Sequence, residues 1–242
     1  MKKLFLLTGT ALALGVVANS SYAAAAPCLS TAGTLPGFYV GVGAGYGGMD
    51  TPKFNDADKT FGGATMHDSS LRGYAIRGYL GYLWAIPQVQ NLQLGAELGG
   101  NYYQKNKYDL IAIRGHDKWK YEGFNVDLLG IAKYNFGDTG FNALVKAGSA
   151  YVSQKMSVHE TNLGAVSPTW AGSKGQFKAE AAAGLGYDIN QNVDVNVIYA
   201  HIFGNKPGHV SDANVSQATM NKVASVDTLL LTFAYHFGGL VK

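Results

Sequence analysis

The sequence predicts an all-β chain folded as an eight-stranded antiparallel up-and-down transmembrane β-barrel. Three observations carry that prediction. The stretch GFYVGVGAGYGG, from Gly37 to Gly48, places glycine at Gly41, Gly43, Gly45 and Gly47, with Phe38, Val40, Val42, Ala44 and Tyr46 alternating between them. Seven further segments show the same period of two, and their connections alternate between short and long. The less apolar phase is built from Gly, Ala and isolated charges of both signs, not from the Lys, Glu and Ser of a wetted surface.

Residues i and i+2 of a strand share a face, so the four glycines of the first segment point one way and the apolar residues the other. Glycine in a strand interior is destabilising, because it loses more chain entropy on folding and supplies nothing to pack. A row of them implies a crowded side. The lumen of a narrow barrel is such a side, and its outside can be fully apolar where it meets lipid.

The segments follow in order. LRGYAIRGYLGYLW sets Tyr74, Ile76, Leu80, Tyr82 and Trp84 against Gly73, Ala75, Arg77, Tyr79 and Gly81. LQLGAELGGNYY sets Leu92, Leu94, Ala96, Leu98 and Tyr102 against Gln93, Gly95, Glu97, Gly99 and Asn101. FNVDLLGIAKYNF, FNALVKAGSAYV, FKAEAAAGLGYDI, VDVNVIYAHIF and TLLLTFAYHF complete the set of eight. Short connections fall near Ile86 to Asn91, Gly137 to Gly140 and Asp188 to Asn192, and long ones after the first, third, fifth and seventh segments. Short periplasmic turns and long extracellular loops are the layout of an outer-membrane barrel. The competing assignment is a secreted soluble barrel of lipocalin type, with the apolar face inside.

Charges on the glycine phase argue for the first assignment. Arg77, Lys133, Lys146 and Lys178 stand against Glu97, Asp127, Glu180 and Asp194, a balanced set suited to an enclosed ionic network. A tight turn after Trp84, pairing it with Gln90, puts Arg77 directly opposite Glu97. Aromatics mark both ends of the apolar phase: Phe38, Trp84, Phe136, Phe141, Tyr187 and Phe237 at the short-turn end, and Tyr46, Tyr74, Tyr102, Phe124, Tyr151, Phe177 and Phe203 at the other. The eight steps from Phe38 to Tyr46 span roughly 26 Å along the strand, or about 20 Å along the axis after tilt.

The first residues read as a targeting segment. Lys2 and Lys3 form a basic start, Leu4 to Val17 an apolar run, and Ser21-Tyr22-Ala23 a small-residue cleavage site, with Ala24-Ala25-Ala26 as an alternative. The expected organisation is a signal peptide over 1–23 (cleavage as late as 26), a periplasmic segment over 24–36, the barrel over 37–237 and a tail over 238–242. No other run approaches the ~18 apolar residues of a spanning helix. The chain of 242 residues carries 32 glycines, 15 tyrosines and a net charge of only +3, which gives no footing for nucleic acid. Cys28 is the single cysteine, so no intramolecular disulfide is available.

GFYVGVGAGYGG at the start and TLLLTFAYHF at the end resemble the small eight-stranded outer-membrane proteins of the OmpA and opacity-protein type, over about Gly37 to Phe237. The resemblance implies that Phe233, Tyr235 and Phe237 form the C-terminal signal read by the barrel-assembly machinery, with GGLVK appended as a departure. It implies outer-membrane lipid and lipopolysaccharide as partners, a host or surface ligand for the loops, no cofactor, and a non-enzymatic envelope or adhesin-like role. A small channel is the alternative, although eight strands enclose a space that side chains can fill.

Three candidate sites lie in the loops. His209-Val210-Ser211 resembles the His-x-Ser pair of outer-membrane lipid A deacylases, but the glutamate those enzymes carry further along is missing, and the only later acids are Asp212 and Asp227. Asp50, Asp56, Asp58, His67 and Asp68 could hold a divalent ion, at irregular spacing. Lys105, Lys107, Arg114, Lys118 and Lys120 could meet lipopolysaccharide phosphates, or form a plain hydrated rim.

Overall fold

A computed structural model describes residues 34–49, 65–67, 73–89, 91–112, 115–162, 165–166, 170–205 and 222–237. The strands are β1 (Gly37–Met49), β2 (Thr65–His67), β3 (Gly73–Ala85), β4 (Leu92–Ala112), β5 (Gly115–Asn135), β6 (Phe141–Asn162), β7 (Ala165–Val166), β8 (Trp170–Asn190), β9 (Val193–Ile202) and β10 (Val226–His236). Eight of them, all but the short β2 and β7, pair antiparallel in sequence order, and β1 pairs with β10 through Val42 and Phe233 to close the ring. Closure leaves no strand edge, so backbone donors and acceptors are satisfied without water.

The facing follows the period of two. Val40, Leu94 and Leu231 point away from the axis at 45%, 41% and 45% exposure, whereas Arg77 and Glu97 lie inside at 7% and 1%. A soluble carrier needs the opposite arrangement, so that assignment is overturned. Both sets of end aromatics face outward and meet across strands: Tyr46 with Tyr74 at 6.0 Å, Tyr151 with Phe177 at 5.1 Å, and Phe141 with Tyr187 at 5.1 Å between ring centres. Such pairs add about 0.5–1.5 kcal/mol beyond area burial.

The hairpin after β3 corrects the expected register. Trp84 pairs with Leu94, not Gln90, so Arg77 faces Asn101 and Glu97 faces Gly81. The loop is looser than a tight turn: Ile86 N donates to Leu92 O at 3.2 Å, Val89 N to Ile86 O at 3.1 Å, and Asn91 takes a left-handed φ of 71°. The next turn needs glycine, since Gly137, which opens a short 3-10 turn, and Gly140, which follows it, stand at φ 58° and 78°.

Two strand pairs run further than the alternation indicated. β4 and β5 stay paired out to Ala112 and Gly115 beyond a register shift at Tyr103/Asn106, and β6 pairs with β8 as far as Val158 and Trp170. The connections read as long loops after the third and fifth segments are thus largely sheet. β2 and β7 pair with β4 and β6 in this same extension. Cys28, Asp50, Asp56, Asp58, Asp68, Arg114, His209, Ser211 and Asp212 lie outside the described residues, while His67 ends β2 opposite Asp109.

Candidate functional site: the lumen and its two ends

The bare side of β1 faces a filled interior. A Cβ on Gly41 would run into the Tyr79 ring, 2.5 Å from its Cε2 and closer still to Cζ, and one on Gly43 would stand 2.7 Å from Thr232 Cγ2. The glycines therefore make room for large residues reaching in from β3 and β10.

The first ionic cluster draws on six strands. Arg77 on β3 grips Asp127 on β5 with both ends of its fork, Nη1 to Oδ2 at 2.8 Å and Nη2 to Oδ1 at 2.7 Å, and Nη2 also reaches Glu97 Oε1 on β4 at 3.0 Å. Lys146 on β6 donates to both oxygens of Glu97 at 2.6 and 2.7 Å, and the Tyr39 hydroxyl on β1 donates to Glu97 Oε2 at 2.8 Å. Asn101 and Asn125 donate to Asp127 Oδ2 at 3.2 and 3.0 Å, and Asn125 reaches Glu180 Oε2 on β8 at 3.5 Å. Arg77 meets Glu97 across the staggered register because its long stem leans along the strand.

A second cluster closes the short-turn end. Lys133 Nζ donates to Asp188 Oδ1, Asp194 Oδ2 and Thr34 Oγ1, each at 2.8 Å. Asn142 Nδ2 adds a bond to Asp188 Oδ1 at 2.9 Å, and His236 Nε2 lies 3.1 Å from Asp194 Oδ2. Thr34 precedes β1 yet is buried in this mouth, where its carbonyl accepts from Gln93 Nε2 at 2.8 Å. Between the clusters lies an apolar layer of Tyr39, Tyr79, Leu83, Ile131 and Ala234. The void there is about 20 Å³, against the ~10–15 Å³ that one water requires.

At the opposite end, the residues just before β10 pack into the lumen. Val223 and Ala224 are buried with Met49, Tyr103, Val152 and Ile202. Gln154 brackets this segment, accepting from Ala224 N at 2.8 Å and donating to Ala224 O at 3.1 Å. Replacing Gln154 by leucine orphans both backbone groups, and is expected to lower unfolding free energy by about 1–3 kcal/mol in urea titrations of the bilayer-inserted protein.

The expected charge equality does not hold. Asp188 joins the interior acids, and Lys178 is only half-buried, with no ion pair among the described residues. Buried Arg77, Lys133 and Lys146 thus face Glu97, Asp127, Glu180, Asp188 and Asp194. Sequence reasoning also missed Thr34, Asn142 and His236 as members of the second cluster. Asp188 and His236 do share the inward phase, which was the available signal. Phe233, Tyr235 and Phe237 line the outside of β10 at 42%, 48% and 53% exposure. Each interior charge pair is desolvated and sustained only because its remaining lone pairs and protons are taken up by neighbours.

A family model agrees with this architecture. The model of the outer membrane protein beta-barrel domain matches residues 10–237. An uncharacterised protein of Coxiella burnetii (strain RSA 493 / Nine Mile phase I) is 29% identical, the match covering 74% of this chain and 79% of that protein. Among solved structures, OprG of Pseudomonas aeruginosa is similar at 14% identity and a TM-score of 0.47, over 86% of this chain and 99% of that one. Ail, the attachment invasion locus protein of Yersinia pestis, is similar at 12% identity and a TM-score of 0.42, over 84% of this chain and 100% of that one. A closed ring of eight strands, apolar outside and ionic within, together with a family match along nearly the whole length, establishes that the chain belongs to the outer membrane protein beta-barrel domain family and is an integral protein of the outer membrane.

Proposed function

We propose that the protein is a non-enzymatic envelope component that presents an extracellular sheet for interaction with a surface or host ligand. The observation that carries this reading is the reach of its hairpins. β4 continues ten residues past the girdle residue Tyr102 to Ala112, about 33 Å along the strand, and β6 runs eleven past Tyr151 to Asn162. Sheet carried that far beyond the aromatic belt contributes nothing to spanning the membrane, and rigid elements of this kind present side chains for recognition. A channel is disfavoured by the packed lumen, with Thr34 buried in one mouth and Val223 and Ala224 in the other.

The register also brings Lys107 opposite Lys120, and Lys118 opposite Asp109. A basic stretch of this kind, with Lys105, Lys107, Lys118 and Lys120 in sequence, favours an anionic partner such as lipopolysaccharide phosphate. Two further assignments belong to the same proposal: residues 1–23 as the removed leader, and the outward Phe233, Tyr235 and Phe237 as the signal for the assembly machinery.

Replacing residues 104–121 by a short Gly-Ser turn tests the central reading. The variant is expected to remain heat-modifiable on gels, since the lumen clusters lie below the cut, while cells displaying it lose binding to the surface ligand or host cell that wild type engages. Full binding by the shortened barrel would refute the proposal.

A further inference from the structure

Three polar residues form a hydrogen-bonded cluster on the outer face of the barrel, which is mostly apolar. Asp227 on β10 is directly opposite His201 on β9, and its Oδ1 lies 2.7 Å from His201 Nδ1 and accepts from the Tyr199 hydroxyl at 2.5 Å. The His201 and Asp227 side chains are 30% and 45% exposed, and Tyr199 is 50% exposed.

Their height is fixed by register. Leu229, two residues from Asp227, pairs with the girdle residue Tyr46, and Phe203, two residues past His201, belongs to the same girdle and touches the imidazole at 4.6 Å between ring centres. The cluster therefore sits at the aromatic belt, the level of lipid headgroups. Ionisable residues on a lipid-facing strand are unfavourable without a partner, and they mark functional positions by default.

The surface beside them is flat. Register carries the row from His201 to Ala181, Ala147, Gly130 and Ala96 across four neighbouring strands, all small residues on the outward phase. Acyl chains can lie against that row while the polar cluster meets the headgroup above.

We propose that His201, Asp227 and Tyr199 form a binding site for one lipopolysaccharide molecule of the outer leaflet, taking its acylated sugar headgroup. With Oδ1 committed to two protein partners, the groups that meet the headgroup are Asp227 Oδ2 and His201 Nε2. A neutral imidazole whose Nδ1–H is given to the carboxylate presents Nε2 as an acceptor, and Oδ2 is an acceptor too. Two acceptors side by side suit the hydroxyl and amide N–H donors of an acylated amino sugar, and they disfavour a bare phosphate. This rests on lipopolysaccharide being a partner of the barrel, and it places that contact on the lipid-facing wall, distinct from the extracellular hairpins.

The test compares full-length wild type with His201→Leu/Asp227→Leu in phosphatidylcholine bilayers doped with lipopolysaccharide or with phosphatidylethanolamine, and counts the lipid retained per protein after extraction. Wild type is expected to retain lipopolysaccharide selectively, and the double variant to retain about tenfold less, as loss of about two hydrogen bonds implies. The variant's apolar substitutions suit lipid, so it should stay heat-modifiable; a milder His201→Gln variant serves if it does not. Equal retention by variant and wild type overturns the site, and so does wild-type preference for phosphatidylethanolamine, whose ammonium would then be the ligand. If wild type retains no lipopolysaccharide at all, the site falls along with lipopolysaccharide as a partner. If retention depends only on residues 104–121, the partner stands and this site alone falls.

Discussion

Substituting Arg77 by leucine is expected to remove a large share of the stability of the folded, heat-modifiable species. The guanidinium holds Asp127 by two parallel bonds and shares Glu97 with Lys146, and all four side chains are almost wholly buried. Removing one partner of a buried pair leaves an uncompensated charge and destabilises by about 3–5 kcal/mol, against a total stability on the order of 5–15 kcal/mol. Asp127 would retain only the Asn101 and Asn125 amides, which cannot neutralise it. Glu97 would fare better, because Lys146 and Tyr39 still engage it. That asymmetry predicts partial rescue by Arg77→Met/Asp127→Leu, in which neither member of the pair is left charged and alone. Arg77→Lys should be intermediate, since an ammonium keeps the charge but cannot make the fork. Urea midpoints in bilayers for these variants measure the order; a stable Arg77→Leu barrel would show that water or relaxation reaches Asp127.

How far the sequence disclosed this arrangement depended on what each side chain faces. Where one face meets lipid and the other the lumen, as at Val40 and Gly41 or Leu98 and Glu97, a period of two is imposed and the facing can be read directly. Where both faces meet water, the imposition lapses. The stretch from Gln104 to Glu122 carries polar residues on both phases, so its strand character, held by pairing such as Tyr108 with Trp119, left no apolar stripe to detect. Register was lost for a different reason. It depends on the length and conformation of a turn, and Asn91 in a left-handed conformation with the bonds around Ile86 is not announced by AIPQVQN.

The second cluster shows the same limit from the side of chemistry. Asp188 lies next to a short connection and reads as a turn residue although β8 continues to Asn190, His236 sits within the closing strand's aromatic pattern, and Thr34 precedes any strand. The inward phase of Asp188 and His236 is legible, but their association is not, because it is created by closing the ring, which brings Lys133 within 2.8 Å of residues 55, 61 and 99 positions away. Ring closure thus does for this small domain what a thick hydrophobic core does elsewhere: it makes distant strands share one set of interior contacts. The Arg77 cluster ties six strands in that way, so its loss should be felt around the whole circumference.

The strongest test of facing uses two adjacent glycines on β4. Gly99 points inward, where an added Cβ would lie 2.6 Å from Arg77 Cζ and 2.8 Å from Asp127 Oδ1. Gly100 points outward, with its nearest neighbour, the Asn125 carbonyl oxygen, at 3.8 Å. Gly99→Leu therefore has to displace the guanidinium from its carboxylate, adding about 1–3 kcal/mol of overpacking to the loss of the ion pair. No folded barrel is expected. Gly100→Leu places the same side chain among Leu98, Tyr102 and lipid, and is expected to fold as wild type does, with a neutral or slightly raised urea midpoint, since leucine is favourable in hydrocarbon and glycine is a poor strand residue. Gly43→Leu, facing Thr232, should behave like Gly99→Leu, and Gly78→Leu, with no atom within 4 Å of its added Cβ, like Gly100→Leu. The four variants share one chemical change and differ only in the side of the wall they occupy, so a result that failed to sort by side would mean that the lumen yields more readily than its ion pairs imply.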